Sequence, residues 1–189
     1  MLEDPEFSNP AEDGIWLAKS LDIKENQTAL DIGCGTGVVT LCAKHLFPNS
    51  NFTGMDIQQS ALKLAKQNGE LNKFDINWLE GDILSPPFKP ESFDVVFSNP
   101  PFHRTDKGFT SNKNNIAFAT TEDMVHTWIE NMLTLTKQNG VISLIHHINN
   151  IKIIESFAKS YAVDMTELKT SPNKNAKRII VNIYKKSPE

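Results

Sequence analysis

The chain has 189 residues, 39% hydrophobic and 22% charged, which fits one ordinary globular domain and excludes a disordered or collagen-like chain. A net charge of −4 excludes a global field that draws the chain to nucleic acid, so any such contact has to come from a local basic patch. No stretch has the length and apolarity of a bilayer span and no signal-peptide pattern opens the sequence, so the expected location is cytoplasmic.

Residues 1–10 lack periodicity and read as a flexible leader, which leaves 11–189 as a single domain. Over 11–21, Ile15, Leu17, Ala18 and Leu21 recur at helical spacing. Residues 28–32 are a short apolar run stopped by glycine, the mark of a buried strand. A helix over 38–46 and a strand over 51–55, ending at Asp56, follow. The next helix covers 60–71, with Ala61, Leu62, Leu64, Ala65 and Leu71 on its apolar face and Ser60 as its predicted N-cap. Then come a strand over 76–79, a loop punctuated by Pro86, Pro87 and Pro90, and a strand over 93–97. Residues 103–115 are polar and read as a mobile loop. The spacing predicts a helix over 122–136, a buried strand over 140–145, a helix over 151–161 and two closing strands over 163–168 and 179–184. Cys34 and Cys42 sit in runs that read as interior, and two cysteines make neither a disulfide framework nor a zinc site.

This alternation predicts an α/β fold of the Rossmann-like kind: a seven-stranded, mostly parallel sheet with helices on both faces and a C-terminal antiparallel hairpin. Ligands in such sheets bind beyond the carboxyl ends of the strands. That rule selects residues 31–37, Asp56, residues 81–82 and residues 99–102.

The segment Asp31-Ile32-Gly33-Cys34-Gly35-Thr36-Gly37 is a glycine-rich turn, whose missing Cβ atoms let backbone approach a ligand. Its G-x-G-x-G spacing differs from the phosphate-binding G-x-G-x-x-G. The acid before it would repel a pyrophosphate and welcome a cationic amino-acid end. Both features argue against NAD and for S-adenosylmethionine, which has no phosphate. Asp56, 23 residues after Gly33, can accept both hydroxyls of a ribose, with Ile57 beside it. Asp82 can meet the exocyclic amine of an adenine, with Ile83 next to the ring.

Ser98-Asn99-Pro100-Pro101-Phe102 is more specific. Two prolines fix φ twice and remove two donors, and Asn99 before Pro100 is pushed extended. The stiff corner presents the Asn99 amide oxygen and the Pro100 carbonyl as acceptors. Two such acceptors can grip the N–H groups of a planar amine and localise its lone pair, so that positioning and electrostatics supply the catalysis. Phe102 offers a flat face on which a base can stack, for about 1–3 kcal/mol.

The whole pattern resembles the class I S-adenosylmethionine-dependent methyltransferases. The resemblance implies Asp31 near the methionine amino group and Gly33, Cys34, Gly35 and Gly37 under the methionine and ribose. It also implies Asp56 on the ribose, with Asp82 and Ile83 at the adenine. Asn-Pro-Pro-Phe resembles the motif of amino-methyltransferases acting on adenine N6, cytosine N4, guanine N2 or the glutamine amide, although the commoner ending is Tyr. Further features resemble the bacterial tRNA1(Val) adenine-N6 methyltransferases: Glu12-Asp13-Gly14-Ile15-Trp16-Leu17-Ala18, the 140–146 strand, and Ser171-Pro172 ahead of 176–181. They imply RNA, tRNA in particular, as the partner. Glutamine-specific relatives usually carry a helical recognition domain in front, for which 1–27 leaves no room. Pro101, His103, Arg104, Lys174, Lys177 and Arg178 are the candidate substrate contacts, the basic ones neutralising phosphates. His146 and His147 are adjacent, face opposite sides of a strand and make a poor metal pair, so no metal is expected.

Overall fold

The computed structural model describes residues 11–100, 122–169 and 175–186. In chain order the elements are α1 (Ala11–Ser20), β1 (Thr28–Ile32), α2 (Val38–Leu46), β2 (Asn51–Asp56), α3 (Gln59–Leu71), β3 (Asn77–Glu80) and β4 (Phe93–Ser98). After them come α4 (Glu122–Leu135), β5 (Thr136–His147), a 3-10 turn (Ile148–Asn150), α5 (Ile151–Phe157), β6 (Ala162–Leu168) and β7 (Arg178–Tyr184). The seven strands form one sheet in the order β3-β2-β1-β4-β5-β7-β6. The first five run parallel, and β7 enters antiparallel between β5 and β6. This is the predicted Rossmann-like architecture with its closing hairpin.

Alternate residues of each strand serve opposite faces, which is why the central strands β1 and β4 are largely apolar, whereas the edge strands β3 and β6 carry exposed polar residues. Leu30, Ile32, Val96, Ile142 and Leu144 pack with Val125, Ile129 and Met132 of α4 and Ile154 of α5. Ala29, Val95, Phe97 and Ile145 pack on the other face with Leu17, Ala18 and Leu21 of α1 and Val39 and Ala43 of α2.

Several local expectations are corrected. Ile15 is exposed, and Gly14 takes its place in the α1 interface, 3.2 Å from a Val39 methyl as measured from an ideal Cβ. Leu71 is exposed too, because α3 turns Asn68 and Gly69 inward instead. Ser60 is not the N-cap. Gln58 holds that position without a side-chain cap, and its N–H donates to Asp56 Oδ1 at 2.8 Å. β5 begins at Thr136 and irregularly extends the expected strand, with Gly140 lying so close to the Asp94 carbonyl that a Cβ would meet it at 2.5 Å. α5 ends at Phe157, after which the chain runs into successive turns. Cys34 is buried and Cys42 half-buried, and both are free thiols.

Candidate active site

The turn after β1 is pinned to the end of β2. The N–H groups of Gly33 and Cys34 both donate to the Met55 carbonyl, at 2.8 and 3.0 Å, and the Gly37 N–H returns to the Cys34 carbonyl at 2.9 Å. Gly35 has φ 55°, and no atom of the described residues lies within 4 Å of where its Cβ would sit. Gly37 is glycine for another reason. It starts α2 at φ 87°, and an ideal Cβ there would stand 2.8 Å from the Trp78 ring. The same indole leaves 2.4 Å at Gly54 and 3.3 Å at Gly69. Trp78 thus fills a slot cut by three glycines of three different elements.

Asp31 is fully buried. Its Oδ2 accepts the Thr40 hydroxyl at 2.6 Å, and its Oδ1 has no hydrogen-bond partner among the described residues. Burial pushes its carboxyl from 3.8 up to about 7, opposed by the Thr40 hydrogen bond and helped by the nearby Asp56 charge. A cation reaching Oδ1 would restore the carboxylate. Asp56 is buried as well, and its carboxyl is also raised by burial. Its two oxygens accept the N–H groups of Gly35 and Gln58, each at 2.8 Å, and the Ile57 N–H also supports the carboxylate. Of the two acids, Asp56 is satisfied by backbone donors, and Asp31 Oδ1 is the oxygen without a donor among the described residues.

The acceptor corner leaves β4, the strand beside β1. Ser98 is fully buried, donates to the Ile32 carbonyl at 2.7 Å and accepts the Trp128 indole N–H at 3.2 Å. Asn99 follows, with a buried Oδ1 that accepts nothing among the described residues. Pro100 is buried and lines a small cavity with Val125, Trp128, Leu144 and His146. Asp31 and Asn99 thus bring two buried acceptors without a partner among the described residues to neighbouring strand ends, a costly arrangement in a fold that binds nothing there.

Other expected site residues are more scattered. Asp82 folds its Oδ1 back onto the Leu84 N–H at 2.9 Å. Ile83 is a core side chain, 4% exposed, not one laid open for a ring, and its carbonyl accepts the Asn131 amide at 2.8 Å. Ile57 is exposed beside Asp56. Arg178 pairs with Asp13 of α1 at 3.1 Å, which ties the start of β7 to α1, while Lys177 is exposed. Pro101, Phe102, His103, Arg104 and Lys174 lie outside the described residues. His146 is buried and His147 part-exposed, as opposite faces require, and no metal-binding group is found among the described residues. No described helix is long and apolar enough to cross a membrane. Sequence reasoning missed Thr40, Trp78 and Trp128. Thr40 was accessible in principle as the one buried hydroxyl facing back from α2. The two tryptophans act on partners distant in sequence and left no local sign.

The chain matches the family model of the methyltransferase small domain over residues 14–127. It is 34% identical over 146 residues to a candidate protein N5-glutamine methyltransferase of Methanocaldococcus jannaschii, covering 75% of this chain and 72% of the relative. It is 27% identical over 176 residues to the tRNA1(Val) (adenine(37)-N6)-methyltransferase of Porphyromonas gingivalis, covering 88% of this chain and 69% of the relative. A solved methyltransferase of Pyrococcus furiosus has the same fold, with a TM-score of 0.73 at 17% identity, covering 99% of this chain and 89% of that one.

Proposed function

The chain belongs to the methyltransferase small-domain family, and from that premise we propose that it uses S-adenosylmethionine to methylate a delocalised nitrogen, in the first instance the exocyclic N6 of an adenine in tRNA. The observation that carries the reading is that the buried Oδ1 of Asn99, just after β4, and the buried Oδ1 of Asp31, on the neighbouring β1, both lack a hydrogen-bond partner among the described residues. Each asks for an N–H donor. The cofactor's ammonium suits Asp31, whose carboxylate burial disfavours until a cation arrives. An amine hydrogen of the acceptor suits Asn99.

The residues present fit the cofactor. Asp31 would hold the amino-acid end, the backbone at Gly35 would lie along it, and Asp56 would take ribose hydroxyls. Asp82 and Ile57 would flank the adenine. When bound, S-adenosylmethionine supplies an electrophilic methyl on a sulfonium. Asn99 Oδ1 and the Pro100 carbonyl hold the acceptor's N–H groups and turn its lone pair toward that methyl. Proline rigidity keeps both oxygens in place without reorganisation, the condition under which such acceptors act most strongly. No prior deprotonation is needed, because the nitrogen loses its proton to water after the N–C bond has formed and the C–S bond has broken. Phe102, Pro101 and His103 would contact the base. Arg104, Lys174 and Lys177 would meet phosphates.

The tRNA reading is supported by the relative that matches over 88% of this chain. The glutamine reading has its own support in the higher identity of the archaeal relative, and it needs the same two acceptors. One experiment separates them: tritium transfer from S-adenosylmethionine to bulk tRNA and to total protein, followed by nucleoside and amino-acid analysis. N6-methyladenosine in tRNA is the expected product. Label confined to protein glutamine would transfer the assignment, and no label in either would sink the reading.

A further inference from the structure

Trp128 stands on α4, in neither sequence motif, yet touches both halves of the site. Two of its ring carbons lie 3.7 and 3.8 Å from where a Cβ on Gly33 would sit. Its Nε1–H donates to Ser98 Oγ, and Ser98 donates in turn to the Ile32 carbonyl. Ile32 immediately precedes Gly33, and Ser98 immediately precedes Asn99. The two residues are register partners on β1 and β4. Ser98 is fully buried, so both bonds run in a medium of low dielectric, where losing one leaves a polar atom without water to replace its partner. Trp128 also shares the cavity wall with Pro100, which gives it a second hold on the same corner.

We propose that Trp128 is a positioning residue that acts through Ser98 to keep the Asn99 corner in register with the Gly33 turn. The inference rests on the reading of these two segments as the acceptor and cofactor halves of a methyl-transfer site. In-line transfer tolerates little displacement, and a shift of about 1 Å in one half relative to the other can cost about a hundredfold in rate. The indole ring bears on the turn, its N–H bears on the corner, and one rigid side chain sets the distance between them. α4 supplies that side chain from a firmly packed stretch, since Ile129 and Met132 beside it are fully buried.

The test uses Trp128→Phe, which keeps a ring over Gly33 and removes the N–H, with Ser98→Ala and the double variant. Tritium transfer from S-adenosylmethionine to whichever of bulk tRNA or total protein the wild type labels yields kcat and the cofactor KM. Each single variant should lose about tenfold or more in kcat with the cofactor KM within about twofold, and the double variant should lose no more than the worse single one. Losses that multiply, or a loss accounted for by KM or by a fall in Tm, overturn the proposal. Indole ¹⁵N spectra read the same linkage without an acceptor. S-Adenosylhomocysteine should shift the Trp128 Nε1–H resonance and leave that of the exposed Trp16 unmoved, and Ser98→Ala should abolish protection of the Trp128 indole from hydrogen exchange. An unmoved Trp128 resonance in a protein that binds S-adenosylhomocysteine overturns the proposal. A wild type that labels no acceptor overturns the proposed function instead, and the spectra then decide the linkage by themselves.

Discussion

Replacing Asp31 by Asn removes a buried charge while keeping an oxygen for the Thr40 hydroxyl, and it should make the protein more stable at alkaline pH and unable to hold its cofactor. The carboxyl of Asp31 is raised in the folded chain from 3.8 to about 7. A raised acid favours the folded state fully below its unfolded pKa, and that advantage is lost as pH climbs through the folded value. Between pH 5 and pH 8 the wild type should therefore lose roughly 2–3 kcal/mol that Asp31→Asn does not lose. For a chain of this size, the Tm difference between variant and wild type should widen by about 5–10 °C over that range. Urea unfolding of both proteins at pH 5, 6, 7 and 8 measures this directly, and taking the difference cancels the other titrating groups. Saturating S-adenosylhomocysteine should stabilise the wild type at pH 8 and leave Asp31→Asn unmoved. A variant-to-wild-type difference that stays constant across pH would refute the argument that burial disfavours the Asp31 charge. Unimpaired binding by the variant would refute its role toward the cofactor.

Asn99→Ala should cut methyl transfer by about a hundredfold or more while S-adenosylhomocysteine affinity, measured by calorimetry, stays within a few-fold of wild type. Since Asn99 Oδ1 is buried without a partner among the described residues, the same variant should unfold at an unchanged or higher urea midpoint. Gly54→Ala places a methyl 2.4 Å from the Trp78 ring and should cost about 1–3 kcal/mol in urea unfolding, a loss that Trp78→Leu reduces. His146, held neutral by burial with a pKa lowered from 6.5 to about 4, titrates with the opposite sign to Asp31. A depressed base stabilises the fold above its unfolded pKa and loses that stability as pH falls toward the folded value. His146→Gln should therefore flatten a decline of about 3 kcal/mol between pH 6.5 and pH 4 in urea unfolding.

Much of the fold was legible because its signals are local. Glycine after an apolar run, helical spacing and proline punctuation located nearly every element, and the acids at 31 and 56 followed from strand ends in register. Side-chain orientation was less legible. Ile15 and Leu71 fit a helical stripe on paper, but Gly14 and Gly69 occupy the inward positions, where a Cβ would sit 3.2 Å from a Val39 methyl and 3.3 Å from the Trp78 indole nitrogen. Ile83 looked available to a ring, but the core on its side of the sheet takes its side chain. Arg178 looked like a free phosphate contact, but it already faces Asp13 across 165 positions of sequence.

By itself, then, the sequence determined the layered architecture, the placement of acids and amide at strand ends, and the stiffness of the corner at 98–100. Those properties depend on backbone restrictions and periodicity, which neighbouring residues carry. Only the tertiary structure decided that Asp31 is deprived of water, that one oxygen each of Asp31 and Asn99 has no partner among the described residues, and that Trp128 touches both segments. Desolvation and hydrogen-bond satisfaction depend on every element packed around an atom, and those elements come from opposite ends of the chain.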